Sequence, residues 1–268
     1  MSKIDKVKGL PMPDDSNACP LKLIESVADV FRQLWISHNE ENLWFRGQDD
    51  ATFPLVPKAF RAEYVQASER DILNDFKQKA CLVSGVHPVD EWGWIILGQH
   101  YGLPTRLLDW SDNPLQALYF ACQPAVNSNQ EKQDGKLFVL EPDKMNRKTL
   151  GDSAPSPILL EEREDKCRPY LPDNDDSTGN KPIAVVAMDD FPRIGAQNGC
   201  FTVCSDSLYQ YDDQGQEVIR QFIIPAEKKE IILEELDFLG VDAASTYPDL
   251  DHLAQQVAKR HANNKDKR

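Results

Sequence analysis

GQHYGLPTRLLDWSDNPLQALYFAC, residues 98–122, carries the densest chemistry in the chain and decides how the rest is read. Two turn signals, Gly102-Leu103-Pro104 and Ser111-Asp112-Asn113-Pro114, bracket the run from Thr105 to Trp110, and the apolar-periodic LQALYFAC follows the second. The pattern predicts turn, short extended segment, turn, helix. Pro114 suits the first helical position, where its missing N–H would be unpaired anyway, and Asn113 or Ser111 supplies the N-cap oxygen. The helix start then points back at Asp109, Trp110 and Ser111, and free N–H groups there suit an anionic or strongly polar ligand group. A structural reading competes: Leu107, Leu108, Trp110, Leu115, Leu118 and Phe120 form a core strand and helix, with Arg106 and Asp109 paired to each other. Buried Arg, Asp and His are costly unless paired or used, which weighs toward a site.

Upstream, Pro88 opens a helix that runs through Trp92, Ile95 and Ile96 to Tyr101, with Gly102 as its left-handed stop. It delivers Gln99, His100 and Tyr101 to the head of the central stretch. Ser68 with Asp71 resembles a capping box before a further helix. Asn42 to Gln48 reads as a short apolar strand ending in Arg46-Gly47, where the absent side chain of Gly47 lets a ligand or another backbone approach closely. Arg46 either faces that ligand or ties the following loop. Val27, Phe31, Leu34 and Trp35 share one helical face, and residues 1–19 read as a flexible polar tail.

Downstream, residues 136–140, 183–188, 200–204 and 218–224 read as strands, and 226–239 and 248–261 as helices. Residues 143–181 form a charged, Pro-rich insertion expected to carry little regular structure. Helices in the first half and short strands in the second give an α+β order.

The 268 residues, 41% hydrophobic, suffice for one large domain, and a formal net charge of −14 argues against a general nucleic-acid or membrane surface. No apolar run approaches the roughly 20 residues of a membrane span, and no secretory leader is evident, so the expectation is a cytoplasmic chain without membrane partners. Six cysteines without a C-x-x-C pair read as reduced, mostly buried thiols, Cys81 and Cys122 among them, and no metal site is expected. Neither G-x-G-x-x-G, G-x-x-x-x-G-K-[ST] nor G-x-S-x-G occurs, so dinucleotide-fold, P-loop and α/β-hydrolase readings lack support.

The series Trp44-Phe45-Arg46-Gly47, Gln99 to Trp110 (QHYGLPTRLLDW) and Ala117 to Ala121 (ALYFA) closely resembles the FRG domain family, named for its Phe-Arg-Gly motif. Gln197 to Phe201 (QNGCF) and Tyr247 to Leu250 (YPDL) also look like that family, and the resemblance implies one FRG-type domain over residues 20–264. A more distant resemblance is to ADP-ribosyltransferases, in which Arg or His ends a first strand before Gly, a Ser/Thr motif on a second strand leads into a helix, and Glu begins a later strand. Arg46-Gly47, Asp109-Trp110-Ser111 and Gln197 stand in that order here.

The resemblance implies a split, mostly antiparallel small sheet beside the helical first half, and NAD as substrate. It also implies transfer of ADP-ribose to a protein or nucleic-acid acceptor, in the setting of bacterial anti-phage defence or a toxin. Arg46, His100, Asp109 and Gln197 would then be catalytic, and Phe45, Gly47, Tyr101, Thr105, Arg106, Trp110 and Ser111 would hold the nucleotide. Tyr101 or Trp110 would stack on a planar ring. Gln197 is a departure, because the oxocarbenium-like transition state of glycosidic cleavage calls for a carboxylate, which leaves Asp109 to supply the charge. Two other readings stay open: a non-catalytic module binding a nucleotide or nucleic-acid end in the same cleft, and a hydrolase or nuclease built on His100 and Asp109.

Overall fold

A computed structural model of the chain describes residues 22–35, 42–64, 66–83, 88–154, 157–161, 164–172, 181–187, 199–204, 208–213 and 215–247, with 254, 257, 258 and 261. In chain order the elements are β1 (Lys22–Leu23), α1 (Val27–Trp35), β2 (Trp44–Gln48), α2 (Glu69–Val83), α3 (Glu91–His100), β3 (Leu107–Trp110), α4 (Pro114–Ala121) and β4 (Gly135–Leu140). They continue with α5 (Pro142–Leu150), β5 (Ile158–Leu160), β6 (Ile183–Ala187), β7 (Cys200–Val203), β8 (Ile219–Ile224), α6 (Lys229–Phe238) and α7 (Ala243–Thr246). The fold is α+β, with two small sheets of strand order β1-β8-β4-β2 and β3-β7-β6-β5. Their ladders are antiparallel except for β1 with β8 and β5 with β6.

The expected strands after residue 135 all form, because each is an apolar run with little exposed on either face. Helix α3 starts at Glu91 rather than Pro88, since Asp90 provides the cap by accepting from Gly93 N–H at 2.8 Å. It ends as expected: Gly102 has φ +84°, Gly102 N–H bonds Gln99 O at 2.9 Å and Leu103 N–H bonds Gly98 O at 2.8 Å. The tail 1–19 lies outside the described residues, as does nearly all of the helix expected at 248–261.

Three buried clusters hold the sheets. One packs α1, α4 and α6 on the first sheet through Val30, Leu118, Leu137, Phe222, Ile232 and Leu236. A second packs α2 and α3 on the other sheet through Leu73, Trp92, Ile95, Val185 and Val203. The third lies between the sheets, where Trp44, Phe138 and Leu140 meet Leu108, Trp110 and Ala184. Among the described cysteines, Cys122, Cys167, Cys200 and Cys204 are buried, whereas Cys81 is exposed because its turn of α2 presents that side to solvent.

The stretch 143–181 corrects the expectation of little regular structure. It contains most of α5, strand β5 and a 3-10 turn at Arg168–Tyr170, and Ile158, Leu160, Cys167 and Tyr170 all enter the second cluster. Asn146, fully buried, clamps β6 by donating to Ala184 O at 2.9 Å and accepting from Ala184 N–H at 2.7 Å. Ile158 and Leu160 alone carry about 3–6 kcal/mol of burial, against about 5–15 kcal/mol for a whole domain. Deleting residues 157–172 is therefore expected to abolish the cooperative thermal transition, and a truncated chain that melts as sharply as the full one would refute this.

Candidate functional site

Among the described residues the two sheets are bridged edge to edge at a single residue pair. Phe45 N–H bonds Ser111 O at 2.7 Å and Ser111 N–H bonds Phe45 O at 2.8 Å, an isolated bridge between β2 and β3. Antiparallel continuation would set Gly47 opposite Asp109. Instead the strands part, and the Asp109 carbonyl receives Arg46 Nη1 at 2.7 Å. The guanidinium thus takes an acceptor that a continuing ladder would have used. Because Phe45 turns its N–H and C=O toward β3 and away from β4, Gly47, two residues on, turns its own the same way.

A cleft of about 290 Å³ opens at this parting, with Arg46, Gly47, Gln99, His100, Asp109 and Phe120 among its lining residues. Phe45, Trp110, Ser111 and Gln116 contribute to its walls, and Gly199, Cys200 and Phe201 close it from the second sheet. The Asp109 side chain is 58% exposed, accepts from Gln99 Nε2 at 2.9 Å on Oδ2, and lies 3.8 Å from Arg46 Nη1. Burial lowers the Arg46 pKa; Asp109 opposes that, and the nearby positive charge of Arg61 adds to it. Among the described residues Arg46 Nε is buried without a hydrogen-bond partner. Burial, with the negative charge of Asp112 beside it, pushes the Cys200 thiol up to about 12, so this cysteine is not a thiolate nucleophile.

Of the residues expected to act in catalysis, Arg46, His100 and Asp109 share this cleft, and Gln197 lies outside the described residues. Of those expected to hold a nucleotide, Phe45, Gly47, Trp110 and Ser111 line it. Trp110 is 4% exposed and donates from Nε1 to Thr202 Oγ1 at 3.0 Å, so the core fixes its ring. The Ser111 hydroxyl accepts from Asn113 N–H at 3.1 Å and donates to Gln116 Oε1 at 2.8 Å.

Tyr101, Thr105 and Arg106 are not among the lining residues. Tyr101 is 60% exposed, with its ring edge against His100. Thr105 is buried behind the wall. Arg106 is engaged by Glu69, at the start of α2, through Nε at 2.8 Å and Nη2 at 2.7 Å, so its partner is not Asp109.

The start of α4 corrects the expectation of an open anion site. Asn113 Oδ1 accepts from Leu115 N–H at 3.0 Å and Gln116 N–H at 3.4 Å, so the cap residue itself consumes the donors. Gln116 and Phe120, unnoticed in the sequence as site residues, reach the cleft because they lie one helical turn apart on the same face of α4.

Residues 41–131 match the model of the FRG domain. The chain carries an FRG domain. No curated protein and no solved structure matches the chain. The matched stretch runs from β2 through α4 and ends before β4, so the FRG domain supplies Arg46, His100 and Asp109, while the Gly199–Phe201 wall comes from outside it. Among the described residues no cluster of His, Cys, Asp and Glu could hold a metal ion, and no helix is long and apolar enough to cross a membrane.

Proposed function

We propose that the cleft of this FRG domain takes NAD and breaks the bond between nicotinamide and ribose, in the manner of an ADP-ribosyltransferase. The observation that carries the reading is the single-pair junction of β2 and β3, beyond which a backbone donor and acceptor, a guanidinium and a carboxylate converge on one cleft. Gly47 N–H and C=O match the carboxamide of nicotinamide, which needs one acceptor and one donor. About 290 Å³ is at the lower end for a small-molecule site and suits a nicotinamide ring with its ribose, the rest of the dinucleotide extending past the rim. Arg46 supplies the positive charge for the diphosphate.

The C1′–N1 bond breaks with its electron pair leaving on nicotinamide, which departs neutral, and the Asp109 carboxylate stabilises the positive charge spread over C1′ and the ring oxygen. An acceptor hydroxyl, from water or a macromolecule, then attacks C1′ and gives up its proton to His100 at the cleft wall. The test is incubation of the full chain with NAD while free nicotinamide and ADP-ribosylated products are measured. Nicotinamide release that saturates with NAD supports the reading. Saturable NAD or ADP-ribose binding with no release overturns it in favour of a non-catalytic nucleotide-binding module.

A further inference from the structure

Behind Asp109 a run of hydrogen bonds points one way. Leu107 N–H, a group that can only donate, bonds Thr105 Oγ1 at 3.3 Å in a buried setting. The Thr105 hydroxyl donates to Gln99 Oε1. Gln99 Nε2 in turn donates to Asp109 Oδ2 at 2.9 Å and lies 3.4 Å from Leu107 O. The polarity of this run is not free to reverse. A flipped Gln99 amide would set its oxygen against both the Leu107 carbonyl and the Asp109 carboxylate, three acceptors with no proton between them. Thr105 is 2% exposed, so its hydroxyl serves this run and no ligand.

We infer that Thr105 and Gln99 are positioning residues, a one-way relay that fixes the Asp109 carboxylate by Oδ2 and leaves Oδ1 to the ligand. Among the described residues Oδ1 accepts no hydrogen bond, and the Asp109 side chain is open to the cleft. The inference rests on the proposed cleavage of NAD and specifies what meets Asp109: a hydrogen-bond donor or a developing cation, such as the hydroxyls and C1′ of a ribose, rather than a phosphate. The relay explains why Thr105 belongs with the site although no ligand can touch it. Its value is orientation, because a carboxylate must be held within a few tenths of an ångström to favour the transition state over the ground state.

The test uses Thr105→Val, which removes the hydroxyl but keeps the shape, Thr105→Ser, which keeps the hydroxyl, and Gln99→Leu, which cuts the link while leaving Leu107 N–H bonded. One readout needs no turnover: proton exchange of the Gln99 side-chain amide, followed by NMR. Thr105→Val is expected to speed that exchange about tenfold, because an amide no longer held at Oε1 rotates and breaks the Nε2 bonds to Asp109 and Leu107 O, and Thr105→Ser to restore it. In NAD turnover, Thr105→Val and Gln99→Leu are expected to lower kcat about tenfold with KM changed less than about threefold. Unaltered exchange in Thr105→Val, or a serine variant that fails to restore it, overturns the relay. Nicotinamide release that is indifferent to both variants overturns the relay and leaves NAD cleavage standing. Thr105-dependent protection in a wild-type protein that releases no nicotinamide has the opposite meaning: the relay stands and NAD cleavage falls.

Discussion

Asp109→Asn is expected to lower nicotinamide release from NAD by about a hundred- to a thousandfold, the range seen when a preorganised group facing transition-state charge is removed. The substitution nearly preserves shape. Asn still offers an oxygen to Gln99 Nε2, and the backbone carbonyl that holds Arg46 is untouched. The negative charge alone is lost, and with it the group that would stabilise a positive C1′. Since the carboxylate is 58% exposed and sits at the cleft, folding should change little, and the melting temperature should stay within about 2 °C of wild type. The charge also matters to Arg46, whose burial and neighbour Arg61 both disfavour its cationic form while Asp109 favours it. Some rise in KM is therefore expected beside the larger fall in kcat. Single-turnover release measured at saturating NAD separates the two, and a full rate in the variant would remove Asp109 from the chemistry.

What the sequence revealed and what it hid divide along the range of the interactions. Gly102, Asn113 and Pro114 announce their roles because helix stops and starts are settled by backbone conformation within a few residues. Arg46, His100 and Asp109 were legible as a group only through the resemblance to known families, while the need of buried polar side chains for partners marked His100 and Asp109 within the central stretch. Their common cleft, by contrast, depends on β2 and β3 meeting at Phe45 and Ser111 and then parting, a pairing of residues far apart in the chain.

The same distance hid the partner of Arg106. Asp109 was the local candidate, yet Glu69, brought in at the head of α2, takes the guanidinium with two bonds. In residues 143–181 the many charged side chains masked a buried minority that matters: Asn146, bonded to the β6 backbone, and Met145, Ile158, Leu160, Cys167 and Tyr170 in the second and third clusters. No local periodicity marks a three-residue strand such as β5, whose stability comes from parallel pairing with β6.

Gly47→Ala is expected to cost the fold more than any change at the mouth of the cleft. The sequence left open whether this glycine makes room for a ligand or for another backbone, and the geometry of its Cα hydrogen answers for that side. A Cβ there would stand closer than 3.0 Å to Ala117 O and 2.5 Å from Ala121 N, both backbone atoms of α4. Gly135 on the neighbouring strand β4 meets Ala121 O in the same way, so the helix lies on two glycines of the sheet, with Ala117 and Ala121 buried beneath it. Backbone cannot rotate aside as a side chain can. The methyl must therefore push α4 away from β2 and open the packing of Leu118, Leu137 and Phe45 below it. The cost is expected at or above the upper end of the usual overpacking range, about 3 kcal/mol, a fall in melting temperature of about 6–12 °C for a chain of this size. Gly98→Ala is the matched control: its Cβ would meet the Leu103 side chain, at 2.9 Å from Cδ2, which can change rotamer, so a smaller loss is expected. Equal melting temperatures for the two variants would mean that α4 does not rest on Gly47. A large loss confined to Gly47→Ala would show that the glycine of the Phe-Arg-Gly motif seats the helix whose first turn borders the cleft.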